Sequence, residues 1–149
     1  MPVNEAIPVY EAAYTQKLTV YFTAAVTGKK FVGPLTTFQS GPLALSADPL
    51  PAGDGGNIQC AGPPAAGGPV GGGAMYDCAI NTRGGVLRGA GTMLAVTSGA
   101  AVSAGNELQV DATGAVIPYS SGRKVGIAHS TVGGAGLDVV VELYATPAA

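Results

Sequence analysis

The residues able to do chemistry in this chain are few. The single histidine, His129, closes the short apolar run Val125-Gly126-Ile127-Ala128. A Ser/His/Asp relay needs that ring beside a presented serine, and no G-x-S-x-G turn occurs to present one. A lone histidine at a strand end reads as a structural or surface residue. Cys60 and Cys78, with one histidine, leave a zinc site short of ligands. A Cys60–Cys78 bridge would contribute about 3 kcal/mol in an oxidising compartment. Without an export signal the expectation is instead that both thiols are free and mostly buried. Gly28-Lys29-Lys30 lacks the upstream glycine and the Ser/Thr of a phosphate loop, so it reads as a hairpin turn. The clusters Gly71–Gly73 and Gly133–Gly136 lack the spacing of a dinucleotide site. The acid spacing leaves paired-carboxylate chemistry open, but a chain without Trp has few platforms for sugars. These residue types point to contact area rather than turnover: no enzyme, no cofactor, no metal.

The elements that carry these residues are set by an unusual composition. Of 149 residues, 11% are charged, against about 25% in ordinary soluble domains. Gly and Pro contribute 24 and 11 positions, and much of the 47% hydrophobic content is Ala and Val. A surface so small and uncharged suits packing against other protein. The length fits one domain able to bury its own core. With a net charge of −2 and basic residues scattered as Lys17, Lys29, Lys30, Arg83, Arg88, Arg123 and Lys124, no phosphate-tracking stripe forms, which argues against nucleic acid. The uncharged stretch Gly89–Asn106 is broken by Gly, Ser and Thr and would insert poorly into a membrane. The opening MPVNEAIPVYEAAY holds acids and prolines without an apolar run, so synthesis in a cytoplasm without ordinary export is expected.

Read in order, residues 1–14 form an extended arm. Pro2 and Pro8 impose extended backbone, and Val3, Ile7, Val9, Tyr10 and Tyr14 offer apolar side chains for a neighbouring subunit. Residues 15–149 form a single β domain. Leu18, Val20, Phe22, Ala24 and Val26 alternate with Lys17, Thr19, Tyr21, Thr23 and Thr27, a period of two that predicts one long half-buried strand with Tyr21 on the polar face. Phe31-Val32 starts a return strand. From about 40 to 73 the pattern lapses into an irregular insertion: Ala52–Gly73 holds nine Gly and three Pro in 22 residues. Such a segment should be mobile alone, unless neighbouring protein or a tight surface meander holds it. Strand patterns return at Tyr76–Ile80, Val86–Arg88, Thr92–Thr97, Glu107–Asp111, Ala115–Pro118, Lys124–His129 and Leu137–Tyr144. Asp111-Ala112-Thr113-Gly114 is a hairpin turn with Gly where positive φ is needed. The expected fold is all-β: a small antiparallel sandwich or barrel of about eight short strands, with an extended N-terminal arm and a long Gly/Pro-rich loop.

T-S-G-A-A-V-S-A-G-N-E-L-Q-V-D-A-T-G-A-V-I-P (Thr97–Pro118), R-K-V-G-I-A-H-S (Arg123–Ser130) and D-V-V-V-E-L (Asp138–Leu143) resemble the C-terminal half of capsid decoration proteins of tailed bacteriophages, also called cement or head-stabilisation proteins. V-T-G-K-K-F-V (Val26–Val32) is similar to the N-terminal half of such proteins from phages of actinobacteria. The resemblance spans about two thirds of the chain; Ala52–Gly73 has no counterpart in it. It implies a non-enzymatic virion protein on the outer capsid surface, made in the bacterial cytoplasm. Its partners would be the major capsid protein and itself, as a homotrimer at local three-fold positions, with no contact to nucleic acid or membrane.

Other classes remain in view: another virion part, such as a capsid accessory or tail-tube protein, and a β-sandwich carbohydrate-binding module. A tube protein would form rings alone; a sugar binder would show a concave site lined by aromatics and acids.

Overall fold

Residues 8–10, 16–38 and 58–144 are described by the computed structural model of the chain. Among them every regular element is a strand: β1 (Pro8–Tyr10), β2 (Gln16–Phe22), β3 (Phe31–Val32), β4 (Thr36–Phe38), β5 (Ile58–Ala61), β6 (Gly72–Ala74), β7 (Thr82–Arg88), β8 (Met93–Thr97), β9 (Glu107–Val110), β10 (Val116–Pro118), β11 (Gly126–Ala128) and β12 (Asp138–Leu143). They form two six-stranded sheets, ordered β1-β8-β12-β11-β9-β10 and β3-β6-β7-β2-β5-β4. The all-β expectation holds as a sandwich, and neither sheet closes into a barrel. Twelve strands stand against about eight expected: β1, β4, β5 and β6 fall where the sequence shows no strand pattern, and the Tyr76–Ile80 run forms no strand, only an isolated bridge from Cys78 to Val26.

The first sheet is the more regular. In β12, Val139, Val141 and Leu143 point into the core while Asp138, Val140 and Glu142 face outward, the alternation a half-buried strand requires. β12 pairs with β8 from Asp138↔Thr97 to Glu142↔Met93 and with β11 from Gly126↔Leu143 to Ala128↔Val141. β9 and β10 form the expected hairpin. Asp111 N–H donates to Ala115 C=O at 2.9 Å, and Gly114 takes φ 86°, a conformation that excludes most side chains. Leu94, Val96, Leu108, Val110, Val116, Val139, Val141 and Leu143 form the main core with Phe31 and Leu87 from the second sheet. Burying each of the larger side chains contributes roughly 1.5–3 kcal/mol.

The second sheet departs from the sequence pattern. The strand expected to run to Thr27 ends at Phe22. Thr23 N–H then donates to Ala61 C=O at 2.9 Å, and Val26 exchanges backbone hydrogen bonds with Cys78 as an isolated bridge. Tyr21, expected on a polar face, is buried, although Lys17, Thr19 and Arg83 on the same face are exposed as the alternation predicts. Pairing of Lys17 with Leu87 and Leu18 with Val86 assigns the faces. Leu87 and Phe31 look toward the first sheet, while Val20, Phe22, Val32, Ala74 and Val86 form a smaller second core on the far side, packed by Val26, Leu35 and Cys78. The pairing β2–β5 is parallel; all other named pairings are antiparallel.

The sheets are joined at the Gly28-Lys29-Lys30 turn. Lys29 C=O accepts from Thr97 N–H at 2.8 Å, and Phe31 N–H donates to Gly114 C=O at 2.8 Å. Lys29 Nζ lies 2.7 Å from Asp138 Oδ2. Lys29 itself takes φ 64°, a left-handed conformation costing a lysine roughly 1–2 kcal/mol, so these contacts offset a local strain. Gly73 lets Leu94 come close across the interface: a Cβ there would sit 3.2 Å from Leu94 Cδ1.

Candidate interaction surfaces

Of the apolar residues proposed for intersubunit contact, Val3, Ile7 and Tyr14 lie outside the described residues. Val9 and Tyr10 fall in β1, whose backbone pairs with β8 of the same chain at Pro8↔Leu94 and Tyr10↔Met93, with a shift in register between them. The arm therefore includes an edge strand of the first sheet. Proline suits that place, since an edge strand tolerates a missing donor.

The described part of the Gly/Pro-rich insertion, residues 58–73, is more tied down than its composition suggests. β5 and β6 lie within it, and the connection between them is a strap bonded to both sheets. Gly62 C=O accepts from Gly33 N–H at 2.8 Å and Gly71 N–H donates to Val32 C=O at 3.0 Å on the second sheet. Toward the first sheet, Gly67 N–H donates to Val110 C=O at 2.8 Å, and Gly67 C=O accepts from Arg123 N–H at 2.9 Å. The strap thus forms the tight-meander alternative, with its polar backbone paired inside the chain rather than awaiting a partner. Gln109, buried beside it, accepts through Oε1 from Ser120 N–H at 2.7 Å and Ser121 N–H at 2.9 Å and so fixes the 119–124 loop.

The outer face of the first sheet carries a cluster not anticipated from the sequence. Ile127 pairs with Glu142 on one side and Glu107 on the other, so these residues form a row across β12, β11 and β9. Lys124 Nζ lies 2.6 Å from Glu107 Oε2 and 5.0 Å from the centre of the Tyr119 ring. Tyr144 donates its hydroxyl to Glu107 Oε1 at 3.3 Å. The Lys124 hydrogen bond holds the Glu107 carboxyl below its usual range and raises Lys124 in return. Desolvation, then the Glu107 carboxylate, pushes the Tyr144 phenol up. His129 Nε2 lies 2.9 Å from Glu142 Oε2. The signal was available: period-two alternation in β9, β11 and β12 places Glu107, Ile127 and Glu142 on one face once the pairing is known.

Two further surfaces stand out. Tyr76, Ile80, Tyr119 and Leu137 are the large apolar side chains left exposed among the described residues. Tyr76 also lines a shallow depression of about 250 Å³ with Lys17, Leu18, Thr19, Met75, Arg83, Gly84 and Gly85. Cys78 is a free thiol, half-buried, and burial followed by the Asp77 charge pushes its pKa up. The side chain of Cys60 lies outside the description. Among the described residues no three His, Cys, Asp or Glu side chains converge as a metal site would require. No helix among them is long and apolar enough to cross a membrane.

No family model matches this chain, and no curated protein matches it. Among solved structures it is similar to the N base of the head fiber gp8.5 in bacteriophage phi29, with 14% identity and a TM-score of 0.62. The match covers 87% of this chain and 93% of that one. At that identity the likeness establishes a shared fold.

Proposed function

We propose that the protein is a structural component of a phage virion, bound to the outside of the assembled head, where it ties neighbouring major capsid subunits together. The observation that carries this reading is the fold likeness over nearly the whole of a head-fiber base. The motif resemblance of Thr97–Pro118, Arg123–Ser130 and Asp138–Leu143 to tailed-phage decoration proteins, and of Val26–Val32 to those of actinobacterial phages, supports it independently. So does a low-charge, glycine-rich chain with few charged side chains to keep its surface from packing against other protein. In this role the partners are the major capsid protein and further copies of the chain, and modest patches repeated about a symmetry axis gain strength by multivalency.

A second reading is favoured by the likeness to a head-fiber base: the chain is a pedestal that attaches another component to the head without bracing the shell. Both are tested with heads from particles lacking the gene. Purified protein should co-sediment with those heads at saturable stoichiometry. A brace also raises the temperature at which the heads release DNA; a pedestal binds and leaves that temperature unchanged. Failure to co-sediment removes both.

A further inference from the structure

We infer that the loop joining β6 to β7 and the depression at its base form one docking face. Its occupant is a segment of a partner protein that carries a carboxylate beside apolar side chains. Residues 75–81 leave β6 and return to the sheet at Thr82. They present Tyr76, 41% exposed, and Ile80, 54% exposed. A single exposed apolar residue is ordinary; two on one short loop whose backbone is fixed are anchors. Val26 and Cys78 exchange backbone hydrogen bonds at 2.9 and 3.0 Å, and Asn81 N–H donates to Phe22 C=O at 2.9 Å. Gly28 N–H donates to Asp77 Oδ1 at 2.9 Å. Side chains held out on a backbone so restrained lose little freedom when a partner covers them.

The loop meets the sheet, at Met75 and Arg83, at the depression of about 250 Å³. Its floor is a row across the second sheet: Met75 N–H donates to Gly85 C=O at 3.0 Å, and Gly85 pairs with Thr19. Gly85 offers no side chain to that row, and Met75 fills the gap, since a Cβ at Gly85 would sit 2.6 Å from Met75 Sδ. A thioether on a flexible stem repacks readily around an incoming side chain. The charged residues lining the depression are Lys17 and Arg83, and no acid lines it among the described residues. The loop's own carboxylate, Asp77, is turned to Gly28. Lys17, Arg83 and Asp77 also take part in contacts within the chain. An ammonium and a guanidinium each carry several N–H donors, so one such contact does not exhaust either cation. Two cations are too few to follow a phosphate backbone, whereas beside Tyr76 and Ile80 they complement an acid set among apolar residues of a protein. That this segment belongs to the major capsid protein rests on the function proposed above.

The test uses heads from particles lacking the gene, with binding measured by co-sedimentation and folding by thermal melting. Wild-type protein binds, and Tyr76→Ser with Ile80→Ser weakens binding roughly tenfold or more. Leu137→Ser, similarly exposed in the loop before β12, changes it by less than about twofold. The charge is read at Thr19, exposed on the floor of the depression. Thr19→Glu weakens binding, while Thr19→Gln, equal in size and neutral, weakens it clearly less. Wild-type protein that fails to bind removes the head-binding function and this inference together. Wild-type binding that survives the Tyr76/Ile80 double substitution overturns the inference alone. Equal effects of Thr19→Glu and Thr19→Gln also overturn it, and this pair decides by itself should the loop variant melt early.

Discussion

The two sheets solve the same packing problem differently. In the first, apart from β1, neighbouring strands come from residues 93–143, and the side chains of β8 and β12 alternate cleanly between a buried and an outer face. In the second, β2 pairs with β7 from 60 to 72 positions away and with β5 in parallel, and apolar side chains are buried on both faces while Lys17, Thr19 and Arg83 stay exposed. The first sheet is specified by its own alternation. The second is specified by what surrounds it: Phe31 and Leu87 must reach the first sheet's core while Val32 and Val86 fill the smaller one. Apolar side chains buried on both faces blur the alternation in sequence, and a sheet assembled from distant segments cannot show its register.

Substitutions can break that comparison. The largest effect is expected at Leu94, fully buried and seated against Gly73 at the joint between sheets. Leu94→Ala should cost about 2–5 kcal/mol in denaturant unfolding, through lost burial and a residual cavity. Val86→Ala, in the smaller core, should cost clearly less; equal losses would mean that the two cores are not energetically distinct.

Next is Gly114. Its positive φ is unfavourable to alanine, and a Cβ there would strike the Phe31 carbonyl. Gly114→Ala should destabilise by about 1–3 kcal/mol and weaken the joint between the hairpin turn and the second sheet. Thermal unfolding and amide exchange at Phe31, whose N–H donates to Gly114, check both parts.

Smaller effects are expected at Lys29, which combines left-handed strain with the Asp138 ion pair. Lys29→Ala keeps the strain and loses the pair, for a loss of about 1 kcal/mol. Lys29→Gly relieves the strain and should be milder. If glycine is the more damaging, the lysine stem matters more than its backbone.

The smallest expected effect is electrostatic. Glu107 is depressed by Lys124, so its pairing stabilises the fold above the ordinary carboxylate range and is lost as pH falls through the lowered folded value. Lys124 is raised, so its contribution is present below the ordinary lysine range and is lost as pH rises through the raised value. Both groups are solvent-exposed, so the change should appear mainly in titration rather than in melting. Lys124→Met should return Glu107 toward its usual range in an NMR titration.

These contrasts also mark how far the sequence could be read. Val139, Val141 and Leu143 declare β12 by alternation, and Asp111–Gly114 declares its turn by residue chemistry, both local signals. Tyr21 could not be placed, because it is buried on the same face as exposed Lys17 and Thr19, a distinction that alternation does not make. Nor could the strap through Gly67, whose partners at Val110 and Arg123 lie more than forty positions away. The surface row Glu107–Ile127–Glu142 was half legible: the outward positions follow from alternation, but their adjacency required the β9–β11–β12 pairing. The arm residues Val9 and Tyr10 were noticed for their apolar character, whereas their place at the β8 edge is a matter of backbone pairing that composition does not encode.

The central claim is that this sandwich belongs on the outside of a phage head. A cryo-EM reconstruction of particles whose genome encodes the chain tests it most directly. The account predicts density for the two-sheet fold outside the shell, seated where major capsid subunits meet. Particles in which the fold is found in the tail tube, or nowhere in the virion, would contradict it.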